Sequence, residues 1–333
     1  MHVAEPSLNA ELRKYWHPIA TADTIAADPQ QFRLLGEKLV VYRDPAGTNE
    51  IVALRDKCVH RGVALSTGCI KDGQLMCPYH GWQYDRSGEV TLIPSLGPGA
   101  AIPTQARVDH YNTREQYGLV WIALAEPVTG PPPWPNSDWD DPERRVFLVD
   151  TWIWQASAGR MIENAIDFSH FNFVHENFTE LADGPLLKPF DIVPTSDGMT
   201  YAYDDGLLLR TYTLHTPFTL HDEKSVIAAS GGRTWSEKGE TKTGDSTTIT
   251  FIASPTDDAE TLIFVFLSRN HSHDIPDVEF GVGFDEVMDQ DRCVVEAQDP
   301  PYLPLDPREE LHLKLPDSGS LAYRQLLREL VSP

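Results

Sequence analysis

Cysteine is scarce in this chain, with four residues among 333. That excludes a disulfide framework of the kind that staples small secreted domains and points to a reducing compartment. Basic residues are few as well: 27 Lys and Arg stand against 50 Asp and Glu, for a net charge of −23. Such a chain repels phosphate backbones, so nucleic acid is not an expected partner. The acidity suits docking to a basic protein, and it equally suits solubility or a salty habitat. No apolar run reaches the length of a membrane span, and the start, MHVAEPSLNAELRKYW, lacks the basic and apolar blocks of a signal peptide. A cytoplasmic protein without a membrane partner is expected. The chain also lacks a G-x-G-x-x-G fingerprint, an internal repeat and a low-complexity tract.

What is present is ordinary in bulk: 41% hydrophobic and 23% charged residues, in a length that suits roughly two domains. Up to about residue 130 the chain holds short strand-like runs between turn residues: KLVVYR (38–43), EIVALRD (50–56), QLMCPY (74–79) and LVWIAL (119–124). This predicts a small antiparallel β-domain over residues 1–130. The stretch PVTGPPPWPNSDWDDPERR (127–145) is dense in proline and aspartate and reads as a linker or wrapping loop. A second domain, 131–333, opens with a strand over 146–157 and a helix over 158–176. It continues with strands at 206–214, 246–254 and 261–270, a long helix at 278–298 and a closing helix at 320–331. Strands followed by late helices predict an α+β domain with an antiparallel sheet covered on one face.

Three of the four cysteines, with two histidines, crowd into CVHRGVALSTGCIKDGQLMCPYHGW, residues 58–82. Cys58-x-His60, then sixteen residues, then Cys77-x-x-His80 makes two loops that each offer one sulfur and one nitrogen. A Rieske [2Fe-2S] centre needs that donor set, because one iron takes two cysteines and the other two histidines. Gly62 and Gly81 follow the histidines, where a tight turn would aim N–H groups at the cluster. A Cys₂His₂ zinc ribbon is the competing use, at a spacing unlike its usual one. Cys69, between the loops, reads as a buried small hydrophobe.

A centre that moves single electrons needs a consumer. ENAIDFSHFNFVHE supplies Glu163, Asn164, Asp167, His170, Asn172 and His175 among apolar residues. On an ideal helix, residues five apart are rotated by about 500°, so His170 and His175 do not share a face. For both to reach one metal the helix must end or bulge between them. Two histidines and a carboxylate make the facial triad of non-haem Fe(II) oxygenases, with positions left open for O₂. His215, His221, His271, His273 and His312 read as ordinary core or surface histidines.

CVHRG, CPYHGWQYD, EQYGLVWIAL and ENAIDFSHFNFVH together resemble the α-subunit of Rieske non-haem iron oxygenases over nearly the whole chain. The resemblance is to the α-only monooxygenases and demethylases, a group with caffeine N-demethylases, dicamba and vanillate O-demethylases and saxitoxin-type hydroxylases. It implies a Rieske domain followed by a helix-grip (START-like) catalytic domain. The implied cluster ligands are Cys58, His60, Cys77 and His80, and the implied Fe(II) ligands are His170, His175 and Asp291. The third ligand comes from DEVMDQDRCVVEAQ, with Asp289 as the fallback that the bare sequence does not separate from Asp291. Asp167 resembles the aspartate that bridges one subunit's cluster to the next subunit's iron in a head-to-tail homotrimer, and Asn164 matches a polar residue near the iron.

The resemblance further implies O₂, a small aromatic or heteroaromatic substrate, and a separate flavin- or ferredoxin-type reductase spending NADH or NADPH. The expected reaction is oxidative O- or N-demethylation releasing formaldehyde, with aromatic ring hydroxylation or dihydroxylation as the alternative and a pure electron carrier as the competing class. The runs at 206–214 and 261–270 and the HFNF aromatics line an apolar pocket or fill plain core, with core favoured. Arg210 or Arg233 is a candidate anchor for a substrate carboxylate, weighed against surface ion pairing.

Overall fold

The computed structural model describes residues 5–45, 49–97, 99–134, 138–175, 185–228 and 242–331. The chain divides into two compact units, Leu12–Pro131 and a larger one made of Met1–Glu11 with Pro132–Pro333. A short helix, α1 (Asn9–Leu12), precedes the first strand.

Among the described residues the smaller unit holds ten strands: β1 (His17–Thr21), β2 (Gln30–Leu34), β3 (Glu37–Arg43), β4 (Ile51–Arg55), β5 (Cys69–Lys71), β6 (Gln74–Met76), β7 (Gln83–Tyr84), β8 (Val90–Leu92), β9 (Asn112–Gln116) and β10 (Leu119–Ala123). They form three antiparallel sheets, ordered β1-β10-β9, β2-β3-β4 and β5-β6-β7-β8. Successive strand residues point to opposite faces, and β3 and β4 are buried on both. Val40, Tyr42, Val52 and Leu54 enter one core with Leu75 and Tyr84, while Leu39, Val41, Ile51 and Ala53 enter another with Val120 and Ile122. This double burial is why KLVVYR reads as an unbroken apolar run. The first core also receives Cys58 and Cys77.

The larger unit is built on one seven-stranded antiparallel sheet. Its strands are β11 (Arg145–Trp154), β12 (Ile192–Pro194), β13 (Gly198–Asp204), β14 (Leu208–His215), β15 (Thr219–Val226), β16 (Ser246–Asp257) and β17 (Glu260–Arg269), in the spatial order β11-β17-β16-β15-β14-β13-β12. The first strand therefore lies beside the last, and the chain between β11 and β12 must travel from one edge of the sheet to the other. That crossing carries α2 (Ala158–Ala165) and α3 (Phe171–Val174), with α2 against β15 and β16. Three later helices, α4 (Asp277–Phe280), α5 (Phe284–Val295) and α6 (Ser318–Glu329), complete the unit, and α2 touches both α5 and α6. No described helix is long and apolar enough to cross a membrane.

Four expectations need correction. The helix over 158–176 is two helices: α2 stops at Ala165, and the carboxylate of Asp167 accepts the N–H groups of Ser169 (2.9 Å) and His170 (3.2 Å), folding the chain into a turn. The break thus precedes His170, and α3 lies between the two histidines. The helix over 278–298 is likewise α4 and α5, separated at Gly283, whose φ of +94° no helix accepts. Cys69 is exposed, because its strand β5 is short and ends the four-stranded sheet. Arg210 makes no surface ion pair: it is fully buried on β14, its guanidinium 5.4 Å from the ring centre of Phe171. Arg233 lies outside the described residues, as does Glu176.

Candidate active site

Two loops in the smaller unit repeat one design. The N–H of Cys58 donates to Val63 O and the N–H of Gly62 to Cys58 O, each at 2.8 Å. Nineteen residues on, Cys77 N–H donates to Trp82 O at 2.8 Å and Gly81 N–H to Cys77 O at 3.0 Å. Gly62 and Gly81 hold φ of +74° and +69°, which only glycine adopts freely. The loops thus present one cysteine and one histidine each. The two imidazoles lie with centroids 4.5 Å apart, and the Trp82 ring stacks on His60 at 4.7 Å.

Both thiols are buried. The hydroxyl of Tyr84 donates to Cys58 Sγ at 3.1 Å, and the N–H groups of Tyr79 and His80 point at Cys77 Sγ. Buried Nδ1 of His60 has no partner. These donors fit a sulfide-bridged diiron group: soft ligands held by N–H and O–H donors, with an imidazole nitrogen left unused. They do not fit one tetrahedral zinc, whose ligands about 2.0–2.3 Å from the ion would lie under about 4 Å apart. Among the described residues, the three His, Cys, Asp or Glu ligand atoms that gather within 4.8 Å of one another are those of His170, His175 and Asp291.

That second cluster belongs to the larger unit. His170 and His175 flank α3 at its two ends, so four residues of helix carry both rings to one side, 5.1 Å apart. Asp291 reaches them from α5, on the inward face that also carries Phe284, Met288 and Val295, which are buried. Its Oδ1 lies 3.0 Å from His175 Nε2 and 3.5 Å from His170 Nε2. Asp289 points outward, its side chain 59% exposed, and pairs with Arg292 at 3.0 Å. The structure thus places Asp291, and not Asp289, with the histidines.

Each imidazole is held from behind. His170 Nδ1 is 3.4 Å from Asp167 Oδ2, and His175 Nδ1 is 2.9 Å from the amide oxygen of Gln290. With Nδ1 donating to those oxygens, both Nε2 lone pairs face Asp291 Oδ1, a buried oxygen without a hydrogen-bond donor. Two imidazole lone pairs 3.0 and 3.5 Å from one carboxylate oxygen repel it unless a cation lies among them, and that spacing matches adjacent ligands of an ion with bonds of about 2.1 Å. Burial lowers the pKa of His175, but the Asp291 carboxylate outweighs it and the net shift is upward. Burial raises that of Asp167, and the donors of His170 and Ser169 reverse it. Both shifts mark a place that favours positive charge.

The cluster ends a cavity of about 510 Å³, its open mouth included. Trp154, Met161, Phe251, Phe284 and Met288 supply apolar walls, and Asn164 lines the same space. Asp167 lines a separate polar hollow beside Glu163 and Arg324.

A Rieske [2Fe-2S] domain model matches residues 15–112, and a vanillate O-demethylase oxygenase C-terminal domain model matches residues 209–332. The methylxanthine N1-demethylase NdmA of Pseudomonas putida is 32% identical over 336 residues, 96% of this chain and 89% of that protein. The chain belongs to the Rieske non-haem iron oxygenases. This Rieske oxygenase also matches the structure of a Pseudomonas putida NdmA QL mutant with theobromine, with a TM-score of 0.80, 30% identity and coverage of 97% and 92% of the two chains. It shares its fold with dicamba monooxygenase bound to dicamba, at TM-score 0.72 and 21% identity over 96% of each chain. As a Rieske oxygenase it takes a Rieske [2Fe-2S] cluster and a mononuclear iron, with electrons from a reductase.

Sequence reasoning missed three residues of the Rieske oxygenase's inner site. Gln290 stands beside Asp291 without any motif to mark it. Asp222 and Lys224 line the cavity from β15, whose sequence TLHDEKSV reads as polar and exposed yet is mostly buried. The signal that could have found them is the even-numbered alternation Leu220, Asp222, Lys224, Val226.

Proposed function

We propose that the chain is the terminal oxygenase of a multicomponent Rieske monooxygenase that removes O- or N-methyl groups from small aromatic or heteroaromatic compounds. The observation that carries this is the convergence of His170, His175 and Asp291 at the end of an apolar-walled cavity. When bound, a Rieske cluster on Cys58, His60, Cys77 and His80 supplies single electrons, and Fe(II) on His170, His175 and Asp291 supplies open positions at which O₂ is activated. The remaining work falls to the protein. Gln290 and Asp167 fix the tautomer and direction of the two imidazoles. Trp154, Phe251 and Phe284 exclude water and hold a flat ring so that one methyl group faces the ligand cluster. With two electrons from the reductase and two protons, one atom of O₂ enters that methyl C–H bond and the other leaves as water; the resulting hemiacetal or hemiaminal collapses to formaldehyde and the demethylated compound.

NdmA and NdmB of Pseudomonas putida, named as N1- and N3-demethylases, align with 96% and 54% of the chain and favour this substrate type. The electrons come from a flavin- or ferredoxin-type reductase that oxidises NAD(P)H in the cytoplasm. The working assembly is a homotrimer, in which Asp167 links the cluster side of one subunit to His170 of the next. Its position suits that task, since it bonds His170 and also lines an open hollow. Asn164 takes part through the cavity it lines.

A panel of methoxylated and N-methylated aromatics, assayed with a reductase and NADH, tests the reaction. Formaldehyde formed in step with NADH consumption is the expected result. Hydroxylated rings without formaldehyde would replace demethylation by ring hydroxylation, and no oxygenated product from any compound would overturn the proposal.

A further inference from the structure

The peptide that joins Ile166 to Asp167 is held at both of its polar ends. Its N–H, that of Asp167, donates to Asn164 O at 3.1 Å, and its oxygen, Ile166 O, accepts the Tyr201 hydroxyl at 2.6 Å. A peptide is a rigid plane, so fixing its N–H and its C=O fixes the direction in which the next residue leaves. That residue is Asp167, whose carboxylate accepts the N–H groups of Ser169 and His170 and lies 3.4 Å from His170 Nδ1. The bonds made by Asn164 and by the Asp167 carboxylate run within the segment 164–170, so they shape the turn without placing it. The Tyr201 hydroxyl comes from 35 residues away on β13 and ties the turn to the sheet.

That tyrosine is itself immobilised. Tyr201 is buried, its ring stacked on Tyr212 at 5.2 Å and on Phe190 at 5.3 Å. It also meets the ring of Phe168, part of the turn itself, at 5.7 Å and near a right angle. Burial holds the hydroxyl far above its usual pKa, so it remains a donor at any working pH. Helix α6 closes over the bond: a Cβ at buried Gly319 would touch Ile166 O and Tyr201 Oη, each at 3.6 Å. Water therefore has little room to replace the hydroxyl, and a carbonyl just past a helix end is costly to leave unmet there.

We propose that Tyr201 is a positioning residue for the oxygenase reaction: by holding Ile166 O it sets where the Asp167 carboxylate stands, and hence how His170 faces Asp291. The inference rests on the oxygenase reading above and adds to it a residue that touches neither metal ligand nor cavity. A hydroxyl that served stability alone would, on removal, weaken the fold and leave His170 as it was. Tyr203 supplies the comparison. It lies two residues on, on the same face of β13, is equally buried, and its ring is 4.9 Å from Phe168. Its hydroxyl, however, accepts the N–H of Lys188 at 3.2 Å and not a bond from the turn.

Tyr201→Phe keeps the ring stack and removes the donor, with Tyr203→Phe as its control, both loaded with cluster and ferrous iron. Nitric oxide added to the ferrous site gives an electron paramagnetic signal whose rhombicity reports the geometry of the histidine ligands without turnover. Tyr201→Phe is expected to change that rhombicity and to weaken ferrous binding by about tenfold, the lower end of the effect of removing an outer partner of a ligating histidine. Tyr203→Phe should keep the parent signal and affinity, even where urea unfolding shows it to be destabilised. Replacing Tyr201 by 4-aminophenylalanine restores a donor at the same ring position and should recover the parent signal. A parent-like signal and affinity in Tyr201→Phe, an equal change in Tyr203→Phe, no recovery with the amino ring, or a Tyr201→Phe chain that takes up no cluster overturns the proposal. A parent protein that binds no ferrous iron would remove the oxygenase reading instead.

Discussion

Asp291 and Asp289 stand two residues apart on α5, and one of them turns inward. An α-helix rotates 100° per residue, so this small separation moves a carboxylate from the packed face to solvent. Between them Gln290 takes the third direction, its amide oxygen on His175 Nδ1. The three residues make a short series with graded outcomes. Asp289→Ala should leave iron content and activity unchanged, since its partner is the exposed Arg292. Gln290→Leu should weaken ferrous iron binding by roughly 10- to 100-fold, the usual effect of removing an outer partner of a ligating histidine. Asp291→Ala should remove the mononuclear iron while the cluster spectrum persists. Iron titration monitored beside the visible spectrum measures all three, and retained iron in Asp291→Ala would refute the ligand assignment.

At the scale of elements, the critical piece is α2, which delivers the chain to the turn at Asp167 and the histidines. Its first turn is capped twice. Ser157 Oγ accepts from Arg160 N–H at 3.2 Å, and Glu5, from the start of the chain, accepts from Gly159 N–H at 2.9 Å and from the Ser157 hydroxyl. Its other side is tied down by Arg324, which grips Glu163 at 2.6 and 2.9 Å, and by Arg160, which grips Glu310 at 2.6 Å. Such a network fixes position more than it adds stability.

Burial pushes Glu5 from 4.5 up to about 7, against the opposing donors from Ser157, Gly159 and Leu303 and the nearby Arg160. A carboxyl raised in the folded state binds its proton more tightly there than in the unfolded chain. Its stabilisation is therefore complete below pH 4.5 and is lost as pH rises to about 7. Between pH 5 and 8 the parent protein should lose about 3 kcal/mol more stability than Glu5→Gln, as read from urea unfolding. The difference between the two proteins isolates this group from the buried His17 and His221, which burial pushes the opposite way, to about 4 and about 3. Parallel pH profiles would show that Glu5 is ionised in the folded protein.

For the whole molecule, the two units must each hold metal. About three irons and two acid-labile sulfides per chain are expected from a Rieske cluster plus one mononuclear site. Asp167→Asn should keep that count and leave the mass of the assembly by light scattering unchanged, yet lose product formation when reductase supplies electrons. Normal turnover in that variant would end the bridging role. With a net charge of −23, the reaction with a basic docking face of the reductase should slow as salt is raised.

The cluster loops were legible in the sequence because their cysteines, histidines, glycines and spacing all lie within twenty-five contiguous residues, where chain sterics alone set the geometry. The strands KLVVYR and LVWIAL and the β-rich first part were legible for the same reason, as burial on both faces leaves an apolar run. Local pattern failed where distant contacts decide. Asp167 ends α2 earlier than helical spacing suggests, because its carboxylate competes for backbone N–H groups. Cys69 is exposed because its strand closes a sheet edge, and Arg210 is buried because β14 turns it inward over Phe171. Gln290 meets His175 from 115 residues away, and Asp222 and Lys224 lie inside only because β15 is a central strand. The sequence by itself determined which chemistry the chain carries, through ligands that are neighbours along the chain. The tertiary structure decided which carboxylate joins the histidines and which polar groups line the cavity, because those choices depend on side-chain direction across a packed sheet.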